Sequence, residues 1–274
     1  MKYAVCNELF GDLTLADSCR LLADHGFTGI ELAPYTLAED PHKLGAVVRS
    51  EIRKTLQAFD LEFVGLHWLL KVPEGLHLTT PDAVIRKKSW DFLKFLIEFC
   101  AEMGGGMMIL GSGKQRSAES SAVESALAYI SDGLRELAPL AESGNTKILL
   151  EPLATHITNV VNTMQEAEAI IEAVDHPAVG GILDFHNCTG EKLTWPELIV
   201  RHQTIIKHIH FNEPDGGYPG AGGYDFLPAF KALQACGYSG WISLEIFNQT
   251  DPPEMALQET RRVIQHIERA LGED

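Results

Sequence analysis

The chain has 274 residues, 45% of them hydrophobic, which is enough for one large α/β domain with a sizeable core. Its 38 acidic residues against 22 basic ones leave a formal charge of −16, which repels phosphate backbones and anionic membranes and argues against nucleic-acid and membrane partners. The first residues lead into a strand-like segment without the basic start and apolar stretch of a signal peptide, and no apolar run reaches membrane-spanning length. A cytoplasmic location is therefore expected. The five cysteines form no CxxC pair and are odd in number, so they are expected to be buried, inert thiols rather than zinc ligands or a disulfide framework.

Short β-rich runs alternate with longer amphipathic ones along the chain, the pattern of repeated βα units around a parallel sheet. Strands are predicted at 3–6, 29–32, 63–66, 107–110, 147–150, 179–183, 206–211 and 241–244; several are nearly continuous apolar runs, as strands buried on both faces are. Thr14 opens a helical segment with Leu15, Cys19 and Leu22 on one face, and Gly26 is placed to end it in a left-handed turn. Thr80 and Pro81 open a run through Trp90, Phe92, Phe95, Leu96 and Cys100 that Gly104 to Gly106 break. Further helices are predicted at about 121–137, 164–174, 195–202, 227–236 and 253–271. Eight βα pairs in this length give one α/β domain over residues 1–274, a (β/α)8 TIM barrel, with a doubly wound open sheet as the alternative.

In such a barrel all strands point one way and sites lie at their C-terminal ends. Glu151 follows Ile-Leu-Leu, Asp184 follows Ile-Leu, His210 ends Lys-His-Ile and Glu245 follows Ile-Ser-Leu, so the last four strands aim ligand-type residues at one mouth. A lone acidic residue there commonly caps the next loop. Three converging carboxylates, however, repel one another unless a cation lies between them. Three carboxylates and an imidazole suit one divalent metal ion, Mn²⁺ first, with Mg²⁺, Co²⁺ or Zn²⁺ as alternatives.

Four runs carry a family resemblance: Leu-Glu-Pro-Leu at 150–153, Ile-Leu-Asp-Phe-His at 182–186, His-Ile-His-Phe-Asn-Glu with Pro-Gly-Ala-Gly within 208–222, and Gly-Tyr-Ser-Gly-Trp-Ile-Ser-Leu-Glu at 237–245. The chain resembles the xylose isomerase-like TIM barrels, the superfamily of sugar phosphate isomerases/epimerases, ketose 3-epimerases, hydroxypyruvate isomerase and inosose dehydratase. The resemblance is strongest over 147–247. It implies that Glu151, Asp184, His210 and Glu245 bind one divalent ion, with Glu151 and Glu245 doubling as acid/base groups on opposite faces of the substrate. A chelated ion would stabilise the enediolate left when a C–H next to a carbonyl loses its proton. Return of the proton to the other face is epimerisation, return to the adjacent carbon is isomerisation, and loss of a β-hydroxyl is dehydration.

The implied activity is that of an isomerase or epimerase of a small sugar, keto-sugar or sugar acid. The alternatives are a dehydratase of the inosose or dehydroshikimate type and a non-catalytic sugar-binding barrel; a homo-oligomer is compatible with each. Endonuclease IV, of the same superfamily, needs a richer ligand set and a basic surface, which the charge of −16 opposes.

The other strand ends supply candidate substrate contacts: Glu8, Glu31, and His67 followed by Trp68. The family often has a substrate-contacting histidine where His67 stands; a structural histidine is the alternative. Trp68 and Phe247 are candidates for apolar walls or for ordinary core. Lys114 and Arg116 are expected to bring positive charge to the mouth, either to hold a phosphate or carboxylate or as solvated loop charges. Ketose 3-epimerases carry a glutamate six residues after the first metal glutamate and an arginine six after the metal histidine; here Ile157 and Gly216 stand there. His186, a further substrate candidate, follows the metal aspartate by two residues where many members have it three on. His208 has the parity of His210 but lies one layer deeper. The glycine-rich stretch 212–223 is expected to form an adaptable rim closing over the substrate.

Overall fold

Apolar runs bounded by turn residues become barrel staves. In the computed structural model, which describes residues 1–119 and 122–272, eight parallel strands close in sequence order. They are β1 (Lys2–Cys6), β2 (Gly29–Leu32), β3 (Glu62–Leu66), β4 (Gly106–Leu110), β5 (Thr146–Leu150), β6 (Val179–Asp184), β7 (Ile206–Phe211) and β8 (Trp241–Leu244). β1 closes the barrel on β8, with Tyr3 opposite Ile242 and Val5 opposite Leu244.

A ring of helices covers the wall: α1 (Leu15–Asp24), α2 (Ala46–Ala58), α3 (Ala83–Met103), α4 (Val123–Ser143), α5 (Met164–Val174), α6 (Trp195–His202), α7 (Leu227–Ala235) and α8 (Pro253–Leu271). Thr14 caps α1 by accepting from the Asp17 amide, as expected. The sequence assigned no helix between β2 and β3. The reason is that α2 is largely polar: Arg49 occupies its inward face beside Ile52 and Leu56, paired with Glu102 at 2.9 Å and lying over the Phe95 and Phe99 rings.

The long helix α3 starts later than Thr80–Pro81, because Asp82 is the better cap and accepts from the Val84 and Ile85 amides. It ends at Gly104 with φ of 107°, a left-handed turn. The expected start of α4 at Ser121 lies outside the described residues, and the helix continues through Pro139 beyond the expected end at 137. No helix among the described residues is long and apolar enough to cross a membrane.

Side chains on a strand alternate faces, so every second residue points into the barrel. Ile109, Leu149 and Ile182 form an interior apolar layer. Two residues further along the same strands come Gly111, Glu151 and Asp184, so the apolar floor gives way to polar groups at the C-terminal mouth. Register shifts fall at Ile30/Glu31 and at Gly181/Ile182, close to two of the buried carboxylates, where such irregularities re-aim side chains.

Candidate metal centre and active-site cavity

The ends of β5, β6, β7 and β8 bring Glu151, Asp184, His210 and Glu245 together, with ligand atoms all within 4.8 Å of one another and all four residues buried. His210 Nδ1 lies 2.8 Å from Glu245 Oε2, 3.6 Å from Asp184 Oδ2 and 3.8 Å from Glu151 Oε1. The shortest of these approaches is not aligned as a hydrogen bond, and both Nδ1 and Glu245 Oε2 are buried without a hydrogen-bond partner. Buried polar atoms are normally satisfied. Donor atoms that converge without bonding one another fit a cation at their centre, and this hard oxygen-rich set with one imidazole fits a divalent ion.

A layer beneath holds these groups in place. His210 Nε2 is 3.1 Å from Glu31 Oε1, and the other Glu31 oxygen is 2.8 Å from His208 Nε2. With its Nε2 proton donated to Glu31, His210 would present Nδ1 as the ligand atom once a cation displaces the proton that the surrounding carboxylates favour there. Asp184 accepts from the Asn187 amide at 2.7 Å and from Asn212 Nδ2 at 3.1 Å, while Asn187 Nδ2 donates to Glu151 Oε1 at 3.2 Å. Sequence reasoning missed both asparagines. Asn212 shares the parity of His210 at the end of β7, and Asn187 stands three residues after Asp184, a spacing that lets an aspartate accept from the following turn; both signals were available. Gly111 is also required, since a Cβ there would strike the Glu151 carboxylate.

The charges are strongly coupled. Burial, reinforced by the charge of Glu245, pushes the Glu151 carboxyl up to about 8, and burial also raises Glu245. Burial opposes ionisation of Asp184 as well, but His210 and the hydrogen bonds from Asn187 and Asn212 outweigh it and hold the group below the usual carboxylate range. For His210, burial is overcome by Glu245 and Glu31, which raise it well above its ordinary value.

Three expectations are corrected by position. Arg116 is fully buried and does not bring charge to the mouth: Nη1 donates to the Leu110 carbonyl at 3.0 Å, and Nη2 to the Glu151 and Val161 carbonyls at 2.7 and 3.2 Å. The turn Gly113–Gln115 sends its side chain back under the loop, where it ties the ends of β4 and β5 together. Glu31 is likewise fully buried, beneath the cavity among His67, His208 and His210, instead of facing a substrate. The loop 212–223, expected to close over the substrate, does not line the cavity. It is folded around the buried Glu213 carboxylate, which accepts from the Gly220 and Gly222 amides at 2.9 and 2.5 Å.

Above the cluster opens a cavity of about 600 Å³. Glu151, His210 and Glu245 reach it from below, Trp68, Leu153, Ile157 and Phe247 wall it, and Lys71 and Lys114 border it. His67 lines it too, with Nε2 at 2.5 Å from Glu8 Oε2, so Glu8 reaches the cavity through His67 and does not line it. His186 lines it with its ring 4.9 Å from that of Phe247; Nδ1 lies 2.7 Å from the Pro214 carbonyl, to which it donates, leaving Nε2 for a ligand. At Gly216, φ is +84° and the carbonyl accepts from the Phe247 and Asn248 amides, so this position cannot present a long side chain without disturbing its neighbours.

Fold and site together define a TIM-barrel protein with a buried cluster of three carboxylates and a histidine at its C-terminal mouth, a candidate cation site. The sequence matches the family described as xylose isomerase-like TIM barrel over residues 19–267, and the chain belongs to that family. Among curated proteins it is 24% identical over 258 residues to a probable ketose 3-epimerase of Synechocystis sp., covering 91% of this chain and 84% of the relative. It is 22% identical over 272 residues to the 3-dehydro-D-guloside 4-epimerase of Escherichia coli, covering 95% and 97%. Among solved structures, a D-psicose 3-epimerase in the presence of D-fructose superimposes with a TM-score of 0.84 at 17% identity, covering 99% of this chain and 100% of the other.

Proposed function

We propose that the protein is a divalent-metal-dependent epimerase of a small keto-sugar or sugar acid. The observation that carries this is the convergence of Glu151, Asp184, His210 and Glu245 on one point at the floor of a cavity, with partnerless buried atoms facing that point. The relatives named as a ketose 3-epimerase and a 3-dehydro-D-guloside 4-epimerase support epimerisation over isomerisation, which the metal site leaves open.

Glu151, Asp184, His210 and Glu245 would hold the ion. When bound, the ion supplies electron withdrawal from the substrate's oxygens, which acidifies the C–H beside the carbonyl. Glu151 follows β5 and Glu245 follows β8, three strands apart around the barrel, and both line the cavity. One carboxylate takes the proton from that carbon, its electron pair shifts onto the carbonyl oxygen, and the other carboxylate delivers a proton to the opposite face of the same carbon. Asn187 steadies Glu151. His186 Nε2 orients a substrate hydroxyl, His67 contributes a ring edge to the cavity, and the apolar wall keeps bulk water off the intermediate. We also place the enzyme in the cytoplasm, which its five free cysteines support.

Product analysis by NMR after incubation with Mn²⁺ and a panel of ketoses, keto-glycosides and sugar acids tests this. Epimer formation is expected; loss of water would move the assignment to a dehydratase, and absence of any product would move it to a sugar-binding barrel.

A further inference from the structure

The cavity is electrostatically divided. Its acidic floor comes from β5 to β8, whereas the loops after β3 and β4, which face β7 and β8 across the barrel, carry Lys71 and Lys114. These are the two lysines lining the cavity, and neither forms an ion pair among the described residues, in a chain with a formal charge of −16. The Lys71 ammonium is held instead over aromatic faces, 3.8 Å from the Tyr35 ring centroid and 5.1 Å from that of Trp68, which orders it without neutralising it.

The two loops act as one unit. The Leu70 amide donates to Ser112 Oγ at 3.3 Å, and the Leu78 amide donates to the Gln115 carbonyl at 2.6 Å. Each loop also holds a non-glycine residue in the left-handed region, Trp68 at φ of +49° and Ser112 at +50°. Such backbone persists only where its surroundings impose it, and it gathers at ligand-binding positions. Of the groups lining the cavity, Lys71 and Lys114 are the ones whose charge suits an anion, beside the apolar Leu153, Ile157 and Phe247.

Building on the epimerase assignment, we infer that the substrate carries an anionic group, a carboxylate or a phosphate, which Lys71 and Lys114 hold while the reacting carbon sits over Glu151 and Glu245. Lysine ammoniums are point charges that serve either anion, so the two sources are separated by experiment.

Titration calorimetry on the Mn²⁺-loaded and metal-free protein would compare D-fructose, D-fructose 6-phosphate and 5-keto-D-gluconate. One or both anionic ketoses are expected to bind about tenfold or more tightly than fructose, with an affinity that falls as salt rises. In the double variant Lys71→Ala/Lys114→Ala, checked for fold by circular dichroism, that preference is expected to shrink to about twofold or less. Tighter binding of the phosphate or of the carboxylate identifies the source. Equal affinity for the three ketoses, no binding of either anion, or a preference untouched by the double variant would overturn the inference. Because the readout is binding, lysine-dependent anion preference without epimer formation would leave the inference standing and remove the epimerase assignment, and the reverse pattern would do the opposite.

Discussion

The two halves of the barrel mouth use the same residue types differently. At the ends of β5 to β8 the ligand atoms of four polar residues gather within 4.8 Å of one another; His210 Nδ1 and Glu245 Oε2 have no hydrogen-bond partner, while Asn187 and Asn212 donate to Glu151 and Asp184. After β1 to β4 the polar residues make their main bonds to one another or to main chain, Glu8 to His67, Glu31 to two histidines and Arg116, in the loop after β4, to three carbonyls, with Glu8 Oε1 and His67 Nδ1 left buried without a partner. A charged residue at the barrel mouth thus reads as a candidate ligand where its donor atoms converge with others on one point, and as scaffold where its main bonds run to histidines or carbonyls beneath the cavity.

The largest effect is expected on the acidic half. Glu245→Gln removes the charge and the proton carrier proposed for this position, and turnover is expected to fall by at least about 10³-fold with the circular dichroism spectrum unchanged. On the other half, Arg116→Ala strands the carbonyls of Leu110, Glu151 and Val161 in a buried setting. Urea denaturation is expected to register a loss of about 3 kcal/mol or more, with Arg116→Lys recovering only part of it because an ammonium cannot span all three. A stable Arg116→Ala protein with impaired substrate binding alone would erase the contrast. Glu31→Gln is expected to weaken metal binding about 10- to 100-fold, read by metal titration, because the carboxylate that orients His210 has lost its charge.

The smallest effect is a pH dependence of the metal-free protein. The folded state holds a proton on Glu151 up to about pH 8, whereas the unfolded chain releases it near the ordinary carboxylate value of 4.5, so stability declines as pH rises through that window. His210, raised well above 6.5, has the same sign: its contribution is present below that value and is lost as pH climbs through its folded one. Asp184 and Glu31, both held low, act in the opposite sense and only in acid, losing their contribution as pH falls through their folded values. The melting temperature of the metal-free protein is therefore expected to drop by a few degrees, about 2–4 °C per kcal/mol, between pH 5.5 and 8. Added Mn²⁺ is expected to restore more at pH 8 than at pH 5.5. A flat profile would show that the four groups are not coupled as described.

Much of this was written in local pattern. The eight strands follow from apolar runs between turn residues, and strand parity with the rule of C-terminal sites brings Glu151, Asp184, His210 and Glu245 to one place. What resisted was anything decided by partners far away in sequence. Glu31 points inward as its parity requires, but only β7, with His208 and His210, determines that it serves histidines and not a substrate. Arg116 looked like a mouth residue because nothing local reveals that the following turn folds it beneath Leu110 and Glu151. The glycines of 212–223 suggested a rim because nothing local reveals that the Glu213 carboxylate accepts from the Gly220 and Gly222 amides. Helix α2 escaped because Arg49 fills a core-facing position that an apolar pattern cannot show.

The most direct test of the central claim is proton exchange in D₂O with metal-stripped and Mn²⁺-reconstituted protein, metal content verified, on the substrate that the product screen identifies. Deuterium should enter at the carbon next to the carbonyl in the reconstituted protein and not in the stripped one. Equal incorporation in both would contradict a site whose four buried ligands work by holding an ion.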